Sequence, residues 1–196
     1  MTQDPTYNTS FLDTYHNGDL FWYSTLEHYV TESCNFTKHH NDSKMVYLWV
    51  SKNEIQAILH GFQLHGRIHF TVTADKIPGH GLNTTCNIGV CVGRLVPSLA
   101  ELYKDCFMDL DIYSLKTPNV SFEKNLAVLN GEMVMFADIR DPNKHSSTRI
   151  AKLDLSVTLR VKLSITNTTL QGEIVAFDPF IKGILADPKL TDFNVR

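Results

Sequence analysis

Two aspartates near the middle of the chain are the residues best suited to acid–base chemistry. Asp109 and Asp111 are two positions apart, so on an extended strand their side chains share a face. Such a carboxylate pair can move protons in a hydrolase. The apolar residues Met108, Leu110 and Ile112 alternate with them, which places the aspartates on the wet face of an amphipathic strand. We interpret the pair as solvated surface, and no Gly-x-Ser-x-Gly, His-Glu-x-x-His or phosphate-cradling motif is present, so we predict that the chain is not an enzyme.

Histidines concentrate in one part of the chain, at His60, His65, His69 and His80. A metal site needs ligands that converge on one point. These four span a predicted helix end and the following strand, and their spacing does not place them on one face. We therefore predict no metal site and no cofactor.

The four cysteines are Cys34, Cys86, Cys91 and Cys106. In an oxidising compartment they allow three pairings, and the sequence does not choose among them. Cys86 and Cys91 are close enough for a local loop closure. Some of the four are alternatively buried free thiols that pack as small apolar groups.

Six Asn-x-Ser/Thr sequons, none with proline in the middle, predict an N-glycosylated, secreted protein. They lie at Asn8, Asn35, Asn41, Asn83, Asn119 and Asn167. The first residues are polar and do not resemble a signal peptide, so we expect the chain to be a fragment or to lack its natural N-terminal part.

The net charge is −3 and the basic residues are scattered, which argues against a nucleic-acid partner.

The strongest structural signal is the alternation of apolar and polar residues from 150 to 166. A period of two predicts one extended strand with an apolar and a polar face. Typical strands have about five or six residues, so a strand this long is expected to twist and coil around other elements. Residues 170–177 are predicted to return beside it as the second strand of a hairpin.

Other patterns predict the remaining elements. Ser51 and Glu54 form a capping box before apolar residues at helical spacing, and Gly66 is a plausible stop for that helix. A second helix is expected over 96–104, with Leu95, Leu99, Leu102 and Tyr103 on one face. Asn130-Gly131 predicts a hairpin turn between apolar segments. Residues 45–50 and 68–72 read as strands, residues 20–23 as a short aromatic strand, and residues 1–18 as irregular.

The order of these elements resembles the C-terminal domain of the family of bactericidal/permeability-increasing protein, lipopolysaccharide-binding protein and the cholesteryl-ester and phospholipid transfer proteins. The resemblance rests on MVYLWVS (45–51), GRIHFTV (66–72), DKIP (75–78), VPSLAELY (96–103), and the segments 153–165 and 167–174. It covers roughly residues 19 to 185. It implies an α+β fold: an elongated, strongly twisted antiparallel sheet wrapped around one or two amphipathic helices, half of a boomerang-shaped protein.

The resemblance also implies a function. Residues 19–196 would form a lipid-binding domain, truncated at its C-terminus, whose partners are phospholipid or lipopolysaccharide, a membrane or lipoprotein surface, and a missing N-terminal domain of the same kind. We expect a secreted protein of innate defence that sequesters acyl chains in an apolar groove. The alternatives are a plasma lipid-transfer protein, or a module with a filled core that binds a partner other than lipid.

Apolar residues on the predicted helices and strands are the candidates for contacting lipid. Methionine side chains among them suit an adaptable apolar surface, although these residues can equally pack against each other. The predicted lipid-contacting set is Ile55, Ile58, Leu59, Phe62, Leu99, Leu102, Met108, Leu110, Ile112, Met133 and Met135.

Overall fold

The structure is a computed structural model that describes residues 5–7, 12–14, 16, 20–22, 27–29, 50–87, 89–124, 126–144, 146–166 and 169–192. The helices are α1 (Lys52–Leu64), α2 (Val92–Leu95) and α3 (Pro97–Leu102). The strands are β1 (Thr6–Tyr7), β2 (Leu12–Asp13), β3 (Leu20–Trp22), β4 (Glu27–Tyr29), β5 (His69–Val72), β6 (Phe107–Ser114), β7 (Asn119–Glu123), β8 (Leu126–Asp141), β9 (Ser146–Thr166) and β10 (Thr169–Ala186). Two short 3-10 turns follow β5.

One antiparallel sheet dominates the described part of the chain. Its strands lie in the order β10-β9-β8-β6-β5, and β7 also pairs with β8. Two small antiparallel pairs, β1 with β2 and β3 with β4, are separate from it. This open antiparallel sheet with few helices confirms the predicted α+β fold class.

The predicted long strand is present and is longer than the alternating segment, since β9 runs over Ser146–Thr166. The predicted return strand is confirmed as β10, an edge strand of 18 residues. Two register shifts interrupt its pairing with β9, between Ile174 and Ala176 and between Ile181 and Gly183. Bulges of this kind increase local twist and redirect side chains.

The capped helix is also confirmed as α1. The Ser51 hydroxyl accepts a hydrogen bond from the Glu54 N–H (3.2 Å), and the Glu54 carboxylate accepts one from the Ser51 N–H (2.8 Å). Gly66 follows the helix with a positive φ of 62°. Gln56 fixes α1 to the start of β7, because its side chain donates to the Pro118 carbonyl (2.8 Å) and accepts from the Val120 N–H (3.0 Å).

The core of the described residues lies where α2 and α3 cover one end of the sheet. Leu99 of α3 is fully buried, and Val92 of α2 belongs to the same cluster. Strand residues complete the cluster, among them Met108, Ile139, Ile150, Ala151, Leu153, Leu155 and Val157. The cluster is continuous from the helices to the apolar face of β9, so the short helices anchor the sheet.

Helix α2 begins in close contact with the segment before it. The Val92 N–H donates to the Gly81 carbonyl (2.8 Å). A Cβ on Gly93 would lie 1.7 Å from the carbonyl oxygen of Thr84. Thr84 is itself fixed, because its fully buried hydroxyl accepts from the Cys106 N–H (2.9 Å) and its own N–H donates to the Cys106 carbonyl (3.0 Å). The backbones of the two segments therefore approach closely at Gly93.

The hairpin predicted at Asn130-Gly131 is wrong. Strand β8 runs straight through both residues, and the turn lies between Glu123 and Leu126 instead. Asn130 is paired on both sides, and its side-chain oxygen accepts from the Thr158 hydroxyl (2.8 Å). The two-residue turn expected there needs positive φ at both positions, and Gly131 is not among the glycines with positive φ.

The second predicted helix is only partly right. It is shorter than expected, Pro97–Leu102, and α2 precedes it. Pro97 lies in its first turn as predicted. The expected common apolar face is wrong, since Leu95 and Leu102 are 70% and 47% exposed while Leu99 is buried.

Two other expectations meet the structure only in part. Val50, predicted to end a buried strand, is half exposed and outside any strand, and residues 45–49 lie outside the described residues. The segment 1–18, expected to be irregular, contains the short pair β1 and β2. The strand predicted over 68–72 is confirmed as β5, and the aromatic strand as β3.

Candidate functional site

The apolar face of the sheet is defined by the strand register, because directly paired residues of antiparallel strands point to the same side. Leu153 of β9 pairs with Met135 of β8 and with Ile184 of β10. Farther along β9, Leu159 pairs with Phe177 of β10. One apolar surface therefore continues from the core across β8, β9 and β10.

This surface is covered unevenly. At the end covered by α2 and α3, alternate residues of β9 from Ala151 to Val157 are buried. Toward the far end, Leu163 of β9 is 43% exposed, and Ile174 and Phe177 of β10 are 65% and 59% exposed. We call these three residues the open apolar patch. They form an exposed part of the apolar face that a ligand can reach.

The structure divides the predicted lipid-contacting residues into two groups. Leu99 and Met108 are buried in the core, and Leu110, Met133 and Met135 pack against it while remaining partly exposed. Ile112 pairs with Met135 and with Phe70 on the same face. The remaining residues, Ile55, Ile58, Leu59, Phe62 and Leu102, lie on the helices, and Phe62 is 43% exposed.

The α1 residues are not among the residues that form the main cluster or pack against it, so a groove shared by the two groups stays a prediction. The sequence reasoning also missed the open apolar patch. Its signal was present in the alternation of β9 and in Ile174 and Phe177 of the following strand. What alternation does not give is which half of an apolar face is covered by other elements.

The aspartate pair lies on the opposite, polar face and is engaged in fixed contacts. Arg140 Nε donates to the Asp109 carboxylate (2.9 Å), and the Thr71 hydroxyl donates to Asp111 (2.7 Å). The guanidinium of Arg140 has its pKa raised, first by the hydrogen bond to Asp109. The pair was interpreted as solvated surface, and the structure places it on the predicted polar face, where both carboxylates are only partly exposed and accept hydrogen bonds from neighbouring side chains.

Histidines contribute to the same polar face without forming a metal centre there. His69 stacks on Tyr113 with ring centroids 4.1 Å apart, and its Nε2 lies 3.6 Å from Asp111. Within the residues that the structure describes, no three His, Cys, Asp or Glu side chains converge in a way that could hold a metal ion.

A charged cluster links three elements on the polar face. The Glu132 carboxylate of β8 accepts from Lys182 of β10 (2.7 Å) and lies 2.8 Å from the Lys116 ammonium group beyond β6. Glu132 pairs in register with Ser156, a polar-face residue of β9. The hydrogen bond from Lys116, and then the one from Lys182, lower the pKa of Glu132 from 4.5 to about 2.

This shift predicts how stability depends on pH. Because the folded-state pKa lies below the unfolded value, ionised Glu132 stabilises the fold above about pH 4.5, and this contribution is lost as the pH falls through about 2. In urea unfolding between pH 6 and pH 2, we expect Glu132→Gln to flatten the acid-side decrease of the midpoint. The matched control is Glu173→Gln, which alters an exposed glutamate of β10. Equal acid slopes for wild type and Glu132→Gln would contradict the prediction.

The structure gives the state of three of the four cysteines. Cys86 and Cys91, the pair suggested by local spacing, are joined by a disulfide. Cys106 is a buried free thiol, and desolvation, followed by the charge of Asp141, raises its pKa. Cys34 lies outside the described residues.

Two of the six sequons fall within the described residues. Asn119, at the start of β7, is exposed. Asn83 is half-buried and forms an isolated bridge with Phe107. Asn8, Asn35, Asn41 and Asn167 lie outside the described residues, and glycosylation at all six stays a prediction.

Comparison with known proteins identifies the family. The family described as "LBP / BPI / CETP family, C-terminal domain" matches residues 1–177. This chain belongs to that family. Its members bind lipid or lipopolysaccharide, or transfer lipid, and are not enzymes. The LBP / BPI / CETP assignment agrees with the resemblance found in the sequence.

Individual relatives of the LBP / BPI / CETP type are distant. The chain is 24% identical over 168 residues to a bactericidal permeability-increasing protein of Sebastes schlegelii, covering 84% of this chain and 34% of that protein. It therefore spans about a third of the length of this curated relative. A crystal structure of lipopolysaccharide binding protein matches with a TM-score of 0.44 and 16% identity, over 58% of this chain and 24% of that chain.

Among the described residues, no helix is long and apolar enough to cross a bilayer.

Proposed function

We propose that this chain is the lipid-binding C-terminal module of a secreted, glycosylated protein of innate defence. It binds acyl chains of phospholipid or lipopolysaccharide at the open apolar patch, next to an N-terminal domain of the same kind. The observation that carries this proposal is the partly uncovered apolar face of β9 and β10 in a member of a lipid-binding family. The chain acts by sequestration and not by catalysis.

The energetics follow from burial of hydrocarbon. Each methylene that leaves water for an apolar surface gains about 0.8 kcal/mol. Leu163, Ile174 and Phe177 present their side chains on the side of the sheet that is already apolar where α2 and α3 cover it. An acyl chain laid along β9 and β10 would extend the apolar contacts of the core beyond Val157.

Phe177 and Phe180 offer a matched test. Both are exposed on β10, at 59% and 68%, but Phe177 pairs with Leu159 on the apolar face and Phe180 with Ser156 on the polar face. We expect Phe177→Ser to weaken binding of a fluorescent long-chain acyl probe about tenfold, because the contact of a buried phenyl group is worth about 1.5 kcal/mol or more. Phe180→Ser should leave the affinity unchanged.

The measurement is a fluorescence titration of the acyl probe into each variant, with urea unfolding as a check of stability. Equal weakening by both substitutions, or none by Phe177→Ser, would contradict an acyl site on the apolar face. Mass spectrometry under native conditions on protein secreted from glycosylating cells would identify a co-purified lipid and the occupied sequons.

A second candidate is supported by the core itself. Leu99 and Met108, two of the predicted lipid-contacting residues, are buried among other side chains. A filled core at this end of the sheet suits a module that binds another protein. Protein that is lipid-free and monodisperse in the native mass spectrum would favour this function over lipid sequestration.

A further inference from the structure

A shallow depression lies beside the bulge of β10, where the strand order brings β8, β9 and β10 together. Its volume is about 240 Å³, below the ~300–1,000 Å³ of most small-molecule pockets. This size suits a single small group better than a whole lipid. The lining residues are Leu115, Glu132, Asp154, Leu155, Lys182 and Gly183.

Lys182 lies at the register shift between Ile181 and Gly183, and a bulge there redirects a side chain. Its ammonium group reaches Glu132 at 2.7 Å, across the intervening strand β9. Lys116 approaches the other oxygen of the same carboxylate at 2.8 Å. One carboxylate thus holds two ammonium groups at the edge of the depression.

The local charges leave a surplus of positive charge. The lining itself holds two carboxylates, Glu132 and Asp154, and one ammonium group, Lys182. Lys116 beside Glu132 and Lys152 beside Asp154 (3.1 Å) bring the sum to one positive charge, although the buried Oδ1 of Asp154 accepts no hydrogen bond from the residues that the structure describes. The side chains of Lys116 and Lys182 are 75% and 44% exposed. Each ammonium group has three N–H donors, so both can reach an additional acceptor from solvent.

We propose that this depression binds a phosphate group, held between Lys116 and Lys182, with Glu132 as the intramolecular carboxylate that the phosphate displaces from them. Phosphate oxygens accept strong charge-assisted hydrogen bonds from ammonium groups. The group comes either from an anionic phospholipid headgroup at a membrane surface or from a free phosphate ester in solution. Glu132 pairs with Ser156 on the polar face, so this site is separate from the open apolar patch.

The arrangement predicts two substitutions of opposite sign. Removing both lysine charges, in Lys116→Gln with Lys182→Gln, should weaken binding of phosphate about tenfold, because two charge-assisted contacts are lost. Removing the competitor, in Glu132→Gln, should strengthen binding about threefold or more, since both ammonium groups become available. A loss of fold does not produce a gain in binding, so the second variant keeps the test independent of stability.

The controls change the net charge by the same amounts as the test variants, away from the depression. Lys144 and Lys189 are exposed and do not line the depression, so Lys144→Gln with Lys189→Gln removes two positive charges elsewhere. Asp141, the last residue of β8, lies 3.1 Å from Lys144, and Asp141→Asn removes one negative charge elsewhere. We expect neither to alter binding. If Asp141→Asn strengthens binding as much as Glu132→Gln does, the effect is one of net charge and the proposal is overturned.

The assay uses the full chain and two sources of phosphate. Sedimentation with phosphatidylcholine vesicles that contain phosphatidic acid, against phosphatidylcholine alone, measures binding to a headgroup. Calorimetric titration with inorganic phosphate measures the free anion. Binding of either source with the expected order of variants supports the site, and binding only to vesicles assigns it to the headgroup. Binding to neither, or binding that the lysine variant does not weaken, overturns it.

The result is distinguishable from failure of the proposed function. Uptake of the acyl probe depends on Phe177, whereas phosphate binding depends on Lys116 and Lys182. If the acyl probe does not bind but the lysine and Glu132 variants shift phosphate binding in opposite directions, the phosphate site stands without the acyl site.

Discussion

Gly93→Ala is expected to lower the free energy of unfolding by at least about 3 kcal/mol. The new Cβ would lie 1.7 Å from the Thr84 carbonyl oxygen and 2.6 Å from its carbonyl carbon. Both are backbone atoms, so no side-chain rotation relieves the contact. The buried Thr84 hydroxyl and the paired Cys106 backbone hold that segment in place, and separating the segments disrupts α2 and the core beneath it.

Gly81→Ala is the matched control for this prediction. Gly81 has helical φ and ψ of −58° and −30°, and its added Cβ would meet only Ile77, at an ordinary 3.5 Å. The measurement is the urea midpoint of both variants by circular dichroism. If Gly93→Ala unfolds at the same urea concentration as Gly81→Ala, the close approach of α2 to Thr84 is wrong.

Leu99→Ala is expected to have the second largest effect, a loss of about 3 kcal/mol. Leu99 is fully buried and contributes to the cluster that joins α3 to β6, β8 and β9. Truncating a buried leucine removes its transfer free energy and leaves a cavity, which together cost about 2–5 kcal/mol. The expected result is a lower urea midpoint with an unchanged slope, as for a change in stability alone.

Leu95→Ala is the control for this experiment, because it makes the same truncation at an exposed position. Leu95 lies one turn earlier, just before Pro97, and is 70% exposed, so its truncation should change stability by less than about 0.5 kcal/mol. Comparable losses for Leu95→Ala and Leu99→Ala would mean that the helices do not dock as described. In the acyl-probe titration, a Leu99→Ala protein that remains folded should keep its affinity, because the open apolar patch lies at the other end of β9.

Local sequence patterns predicted those helices and strands whose formation depends mainly on residues close together in the chain. The capping box at Ser51 and the alternation of β9 were sufficient for α1 and the long strand, because hydrogen bonding within one turn and side-chain period act over short range. The hairpin turn predicted at Asn130-Gly131 was wrong because the pairing of β8 with strands on both sides outweighs the local turn preference of these two residues. That pairing involves residues as distant as Thr158, and a local pattern carries no information on it.

The sequence predicted on which face of the sheet the candidate site lies, but not which residues of that face are exposed. Alternation placed the apolar side chains of β9 on one side, but it did not show that Val157 is buried and Leu163 is exposed. That difference depends on where α2 and α3 dock, and Leu95 and Leu99 look equally apolar in the sequence while only Leu99 faces the core. The Glu132 cluster was missed for a similar reason, since Lys116 and Lys182 meet only through the strand order.

Strand β10 also determines where the chain can be cut. The family match ends at residue 177, inside β10, which continues to Ala186. An expression clone that stopped there would remove Ile181, Ile184 and Ala186, which pack against the core, and the buried Leu190. It would also leave residues 151–158 of β9 as an unpaired edge strand without the proline that β10 carries at Pro179. Unprotected edges of this kind pair with one another and aggregate, so insolubility of such a truncated product would reflect the cut and not the domain.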